Sequence, residues 1–226
     1  MAYNFDAIAR TYDRLNRVMT LGLDRRWRRR AVRGLHGSVL DVACGTGDMV
    51  LELMKRRCVV TGVDLSGEML SIARQKVKNG VWKVADAEAL PFESGTFDAV
   101  TCAFGVRNFV HLEQGLGEMM RVLKPGGRMV ILELATPDSK LIRPFYNLYT
   151  KRIIPWLGSR IAGNREAYTY LPDSIARFPK GGAFLSAFGS PGVEKAAERK
   201  LTFGVCRLYI IDKTKEAPPT DTSYCH

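Results

Sequence analysis

Asp41-x-x-x-Gly45-Thr46-Gly47 places a carboxylate four residues before a glycine pair; Asp64 closes a later apolar run, and Asp86-Ala87 closes another. Two glycines let the backbone pass close to a ligand, and a helix begun after them offers unpaired N–H groups to an anionic end. A carboxylate at Asp64 can accept both hydroxyl protons of a ribose, and Asp86 supplies an acceptor near the exocyclic amine of an adenine. A dinucleotide site is the obvious rival. Its fingerprint asks for Gly-x-Gly-x-x-Gly or Ala, whereas the sixth position here is the bulky Val50. Asp48 beside the turn suits a positively charged ligand better than a pyrophosphate. S-adenosylmethionine, with its sulfonium, amine and carboxylate, fits these groups better than a nicotinamide dinucleotide.

The elements that must hold these residues alternate. Ser38–Cys44, Cys58–Val63, Val81–Ala85, Thr96–Ala103 and Arg128–Leu134 read as buried strands. Helices follow at Val50–Met54, after Ser66 as an N-cap, and from His111 to Leu123, with Lys124-Pro125-Gly126-Gly127 as a turn. Strands alternating with helices predict an α/β fold, a Rossmann-like doubly wound, mostly parallel sheet. Ligands then bind beyond the carboxyl ends of the strands, where the three acidic residues stand. Two N-terminal helices carry Ile8, Tyr12, Leu15 and Met19, then Leu23, Trp27 and Ala31 beyond Gly22. Residues 140–180, aromatic, basic and punctuated by Pro144, Pro155, Pro172 and Pro179, read as an inserted helical cap. Ala183–Phe188 reads as a short helix, Leu201–Ile211 as one or two closing strands, and 214–226 as a disordered tail. The expectation is a single domain over 1–213.

The chain has 226 residues, 46% hydrophobic and 25% charged, which fits a globular chain with a sizeable core and excludes a disordered or collagen-like one. No run of 18 apolar residues spans a bilayer. Met1–Asp6 shows no basic cap before an apolar run, so we expect a cytosolic enzyme rather than a secreted one. Five cysteines without a Cys-x-x-Cys pair read as reduced thiols, and no His/Cys cluster implies a metal. The net charge is +11, and it is concentrated. Residues 1–36 hold nine arginines against three aspartates, and 140–180 hold eight basic against two acidic residues. Two aromatic-rich basic segments suggest an anionic partner, for which phosphate headgroups and nucleic acid both qualify.

Asp41-Val42-Ala43-Cys44-Gly45-Thr46-Gly47-Asp48, Val63-Asp64-Leu65-Ser66-x-x-Met69-Leu70, Asp86-Ala87-Glu88-Ala89-Leu90-Pro91-Phe92 and Leu123-Lys124-Pro125-Gly126-Gly127 resemble the class I S-adenosylmethionine-dependent methyltransferases. Three further motifs resemble the ubiquinone/menaquinone biosynthesis C-methyltransferases: Phe5-Asp6-x-Ile8-Ala9-x-x-Tyr12-Asp13-x-Leu15-Asn16, Phe104-Gly105-Val106-Arg107-Asn108 and Tyr168-x-Tyr170-Leu171-x-x-Ser174-Ile175. The resemblance runs in order from Phe5 to Ile211. It implies methylation of a ring carbon on a polyprenylated quinol, demethylmenaquinol or the benzoquinol precursor of ubiquinone, with S-adenosylhomocysteine as the second product. It also implies cofactor contacts at Asp41, Gly45, Thr46, Gly47, Asp64, Leu65, Met69, Asp86, Ala87 and Phe104. Several relatives have Ser where Ala103 stands, so a hydroxyl contact worth about 1 kcal/mol is absent.

A quinol carbon attacks a methyl group only as its neighbouring hydroxyl loses a proton, and a phenol starts near pKa 10. Arg107, at the end of the fourth strand, is the candidate to stabilise that oxyanion, directly or through water, with Asn108 orienting it. The alternative is an Arg107 that pairs with a carboxylate to fix its loop. Tyr146, Tyr149 and Tyr168 line an isoprenoid channel or form the core of the cap; the spacing allows either. A membrane-borne substrate also accounts for the charge. Arg-rich helices with Leu23 and Trp27 on one face suit an anionic inner leaflet, so a cytoplasmic protein peripherally bound to the cell membrane is expected. Nucleic-acid methylation is disfavoured, because neither an Asn/Asp-Pro-Pro-Tyr type motif nor a Pro-Cys nucleophile is present. Another phenolic or acidic metabolite remains a rival acceptor. The ring type, with a lean toward menaquinol, and the oligomeric state, with a homodimer as one form, stay open.

Overall fold

The computed structural model describes residues 9–154, 174–188 and 192–215. Tyr168, residues 155–173 of the expected cap and residues 216–226 of the expected tail lie outside them. The strands are β1 (Ser38–Val42), β2 (Val59–Asp64), β3 (Val81–Val84), β4 (Phe97–Ala103), β5 (Leu123–Leu134), β6 (Val193–Leu201) and β7 (Cys206–Lys213). The helices that matter are α1 (Ala9–Met19), α2 (Leu23–Ala31), α3 (Asp48–Met54), α4 (Gly67–Lys76), α5 (Leu112–Val122) and α6 (Arg143–Leu148). One seven-stranded sheet runs in the order β3-β2-β1-β4-β5-β7-β6. The first five strands are parallel, and β7 pairs antiparallel with both β5 and β6. This is the doubly wound α/β architecture that the alternating runs predict.

Helices cover both faces, which is why the central strands are almost continuously apolar. On one face Trp27, Ala31 and Val32 from the α2 segment, with Val50 and Leu53 of α3, pack on Val39, Val130, Leu132 and Leu208. On the other, Leu116, Met119 and Val122 of α5 pack on Leu40, Val100, Ile131 and Tyr209. Lys124-Pro125-Gly126-Gly127, expected as a turn, is an irregularity inside β5: Phe97 pairs with Leu123, and regular pairing resumes only at Ala99 with Arg128.

The structure differs from the sequence reading at the sheet edge. A whole strand, β6, precedes the expected closing pair. Its residues Val193-Glu-Lys-Ala-Ala-Glu-Arg-Lys-Leu201 lack an apolar alternation, because an edge strand protects itself from further pairing with charge instead. The N-terminal basic helices differ too. Trp27, expected on a membrane-facing surface, is only 4% exposed, and Leu23 packs against the same core. The Trp27 indole N–H donates to Thr202 Oγ1 at 2.9 Å, and its ring meets Phe104 edge-on at 6.3 Å between centroids. Arg28 stays inside by pairing with buried Asp24.

Beyond β5, α6 continues as a π-helix over Tyr149–Ile153. Trp27→Ala tests the burial of α2. Loss of a buried indole from a packed core costs about 3–5 kcal/mol, read as a lower urea midpoint with little change in slope. A destabilisation below about 1 kcal/mol would be at odds with a core Trp27.

Candidate active site

The crossover direction changes between β1 and β4, and the chain is strained on both sides of that boundary. Ala43, just past β1, has φ 51°, and Phe104, just past β4, has φ 62°. Left-handed backbone at a residue with a Cβ costs about 1–2 kcal/mol, so surrounding contacts must impose it. Cys44 N–H donates to Val63 O at 2.9 Å, and Phe104 N–H donates to Leu132 O at 2.7 Å. Gly105 has no room for a side chain: a Cβ there would lie 2.7 Å from Ala43 Cβ and 2.8 Å from Cys102 Sγ.

Above this boundary lies a cavity of about 320 Å³. Of the residues singled out from sequence, Gly45, Asp64, Leu65, Met69, Asp86, Ala87, Phe104 and Asn108 line it. Asp64 also builds the cavity. Its Oδ2 accepts from Gly45 N–H at 2.8 Å and its Oδ1 from Ser66 N–H at 2.9 Å, tying the glycine turn to the end of β2. Ser66 Oγ in turn accepts from Met69 N–H at 3.0 Å and caps α4, as the sequence predicts. Asp86 Oδ1 accepts from Glu88 N–H at 2.9 Å, which shapes the turn after β3. Tyr12, Ser66, Glu88, Phe109 and Val110 line it as well, beside Ala43, Ala85 and Gly105; the sequence alone does not mark them as site residues.

The other expected residues stand behind the walls. Thr46 Oγ1 donates to Asp13 of α1, and Lys76 Nζ donates to Asp13, to Thr46 Oγ1 at 3.1 Å and to Asp48 at 2.6 Å. Asp48, expected to favour a positive ligand, is therefore engaged by Lys76. Gly47 has φ 83°, and a Cβ there would meet the Trp82 ring at 2.9 Å. Arg107 is held by Glu133: its Nη1 donates to Oε1 at 2.7 Å and its backbone N–H to Oε2 at 3.3 Å. The same Nη1 donates to the carbonyl of strained Phe104. Tyr146 stands near Arg107; burial pushes its phenol up to about 12, against the pull of that cation. Tyr149 is turned to α1, where its hydroxyl donates to Val18 O at 3.1 Å.

Asp41 lies buried beneath the glycine turn. Thr101 Oγ1 donates to its Oδ1 at 2.6 Å, while Oδ2 has no hydrogen-bond partner among the described residues. Burial raises its carboxyl to about 7, and the Thr101 bond and Arg28 oppose the rise. Burial also pushes the thiols of Cys44, Cys102 and Cys206 well above their usual range, so these cysteines are core residues rather than nucleophiles. Among the described residues, no group of three His, Cys, Asp or Glu could hold a metal.

Residues 2–213 match the ubiE/COQ5 methyltransferase family. The chain belongs to that family. The ubiquinone/menaquinone biosynthesis C-methyltransferase UbiE of Geobacter sulfurreducens is 44% identical over 222 residues, covering 92% of this chain and 86% of that protein. The demethylmenaquinone methyltransferase of Thermus thermophilus is 44% identical over 219 residues, covering 92% and 99%. A SAM-dependent methyltransferase of Thermotoga maritima shares the fold with a TM-score of 0.64 at 19% identity, covering 93% of this chain and all of that one.

Membership of the ubiE/COQ5 family makes the chain an S-adenosylmethionine-dependent methyltransferase. Two of its site features had a signal in the sequence that went unused. Tyr12 sits inside the N-terminal motif, and Glu133 is a lone charge in the apolar run Met129-Val-Ile-Leu-Glu-Leu134. Neither signal says that α1 folds over the glycine turn or that Glu133 reaches Arg107.

Asp41 gives the site a pH dependence. With its folded pKa about 7 and its unfolded value near 3.8, the buried carboxyl keeps a proton that the unfolded chain has released. That stabilisation is complete below about pH 4 and is lost as pH rises through about 7. Asp41→Asn is expected to flatten the fall in urea stability between about pH 5 and about pH 8. An unchanged slope would assign the dependence to another group.

Proposed function

We propose that this family member transfers a methyl group to a ring carbon of a polyprenylated quinol, with demethylmenaquinol favoured over the benzoquinol precursor of ubiquinone. The observation that carries the reading is a cavity lined by Asp64 and Asp86 from adjacent strand ends and by Asn108 from the turn after β4. The names of the Thermus and Bacteroides fragilis relatives, both demethylmenaquinone methyltransferases, favour the naphthoquinol ring.

S-adenosylmethionine fits the donor set. Asp64 suits the ribose hydroxyls, Asp86 the adenine amine, and Leu65, Met69, Ala87, Phe109 and Val110 a planar ring between apolar walls. Asp41, whose Oδ2 has no hydrogen-bond partner among the described residues, lies below the turn and carries a negative charge toward a cationic ligand only as it ionises near pH 7. When bound, the cofactor supplies an electrophilic methyl group on a sulfonium. This chain's residues then have two tasks, alignment and stabilisation of the acceptor oxyanion. Asn108 can donate its side-chain amide from the cavity wall to the quinol oxygen as that oxygen loses its proton. Arg107 acts from behind it: paired with Glu133, it fixes the Phe104–Asn108 turn and adds its field. Tyr146, beside Arg107, borders the acceptor's route, and Tyr149 holds that route against α1. The prenyl tail requires contact with lipid, so we assign the protein a peripheral, salt-sensitive association with an anionic inner leaflet. Among the described residues, no helix is long and apolar enough to cross a membrane.

Purified protein with S-adenosylmethionine and chemically reduced demethylmenaquinone in detergent should yield a quinol heavier by one methyl. Turnover on the demethylated benzoquinol alone would move the assignment to the ubiquinone step, and turnover on neither would remove the quinol reading. Asp64→Asn should weaken cofactor binding about tenfold or more, since a hydrogen bond to a charged group is worth about 1.5–3 kcal/mol. Asn108→Ala should lower kcat by about 10²-fold with the cofactor Kd unchanged. A loss confined to Kd would place Asn108 on the cofactor instead.

A further inference from the structure

Five large apolar side chains lie exposed around one end of the molecule, the end where the strands deliver their carboxyl termini. Leu141 is 82% exposed, Phe203 76%, Phe145 75%, Leu21 74% and Leu148 55%. They come from three separate segments that touch one another: the turn before α2, the α6 segment and the turn between β6 and β7. Gly204, beside Phe203, approaches Pro137, from which the chain leads to Leu141: a Cβ on Gly204 would lie 3.9 Å from Pro137 Cα. The next residue back, Thr202, accepts the indole N–H of Trp27 on α2. At the far end of α6, Tyr149 donates to Val18 O and Met19 O, just before Leu21.

Leu141, just before α6, and Phe145 and Leu148 within it recur at spacings of four and three, which puts Phe145 and Leu148 on one side of α6 and Leu141 next to it in sequence. That side is exposed, whereas Tyr146 on the other approaches Arg107. Two of the five occupy backbone that resists them: Leu21 has φ 52° and Phe203 φ 57°. A glycine or asparagine would relieve both the strain and the exposure, so stability does not explain leucine and phenylalanine at these tips. The rim is basic. Lys140, Arg143 and Arg152 lie along this segment, and Arg25 and Arg26 are exposed on α2, which follows Leu21. An apolar centre within a positive rim is complementary to an anionic bilayer, which takes the rings and leucines at its acyl boundary and the cations at its phosphates.

We propose that this end of the protein, with Leu21, Leu141, Phe145, Leu148 and Phe203 inserted, is the face that docks on an anionic lipid bilayer. The proposal rests on the reading that the acceptor is a membrane-borne quinol. It moves the contact from the face of α2, whose Trp27 is in the core, to the outer side of α6. The helix that lies on the lipid would then carry Tyr146 toward the site on its inner side, leaving the prenyl tail a short path from bilayer to cavity.

The test uses the full chain, the double variant Phe145→Ser/Leu148→Ser, and Phe203→Trp in an otherwise unchanged chain. Flotation with phosphatidylglycerol-containing vesicles at low salt should bind the unsubstituted protein and lose about tenfold or more of that binding in the double variant. Turnover on a tail-less quinol in solution should be the same for both. Measured as the difference from the parent with its three native tryptophans, Phe203→Trp should add blue-shifted emission with those vesicles and extra quenching by brominated acyl chains. A double variant that floats as well as the parent, or a Phe203→Trp probe untouched by brominated lipid, would overturn this surface and leave the membrane reading standing. A parent chain that methylates the tail-less quinol and binds no vesicle would overturn the lipid partner while keeping the enzyme. Dimers in solution that the double variant dissociates, without vesicle binding by the parent, would give the surface to a second copy of the chain.

Discussion

The ends of β1 and β4 approach so closely that Gly105 has no space for a Cβ, and Ala43 and Phe104 on either side are forced into left-handed backbone. The rest of the site follows from this constraint. At a doubly wound sheet's switch point the connections diverge to opposite faces, and the gap they leave becomes the cavity. The strain is held by backbone bonds to β2 and β5 and by the Arg107–Glu133 pair, which reaches back to the Phe104 carbonyl. Burying an ion pair is poor economy for stability alone, and its use here is to fix one conformation of the turn that carries Asn108.

A second polar network does the same for the other wall. Asp13 of α1 meets Thr46 of the glycine turn and Lys76 of α4, while Lys76 also holds Asp48 at the start of α3. Three segments distant in sequence, α1, the glycine turn with the start of α3, and α4, are thereby tied together, and Tyr12 is brought to the cavity with its neighbour Asp13. The hydroxyl of Thr46 and the carboxylate of Asp48, both read from sequence as facing a ligand, are spent on this framework.

The distribution of charge takes on a different meaning once folded. The arginines of α2 surround a stripe, Trp27 and Ala31, that belongs to the core, so that helix is amphipathic for the ordinary reason of packing on a sheet. The surface with no such explanation is the outer side of α6 and the two strained turn tips. There apolar side chains face outward beside cations, and no sheet of the described residues lies over them.

The glycine turn, the strand-end carboxylates Asp64 and Asp86, and the succession of the first five strands along the chain were legible in the sequence because each is a local signal. An apolar run stops, and a polar residue or glycine stands at the stop. β6 was not legible, because an edge strand needs charge on its exposed positions and so loses the alternation that marks a strand. The family motif identified Arg107, but its burial against Glu133, 26 residues away, arises only when β4 and β5 lie side by side. Asp48's engagement by Lys76, Tyr149's bond to α1 and the grouping of Leu21, Phe145 and Phe203 have the same character. Each depends on which distant backbones the sheet brings together. The sequence determines which residues end its strands; tertiary packing decides which of them remain open to a ligand, because a polar group buried against another segment must first satisfy its neighbours there.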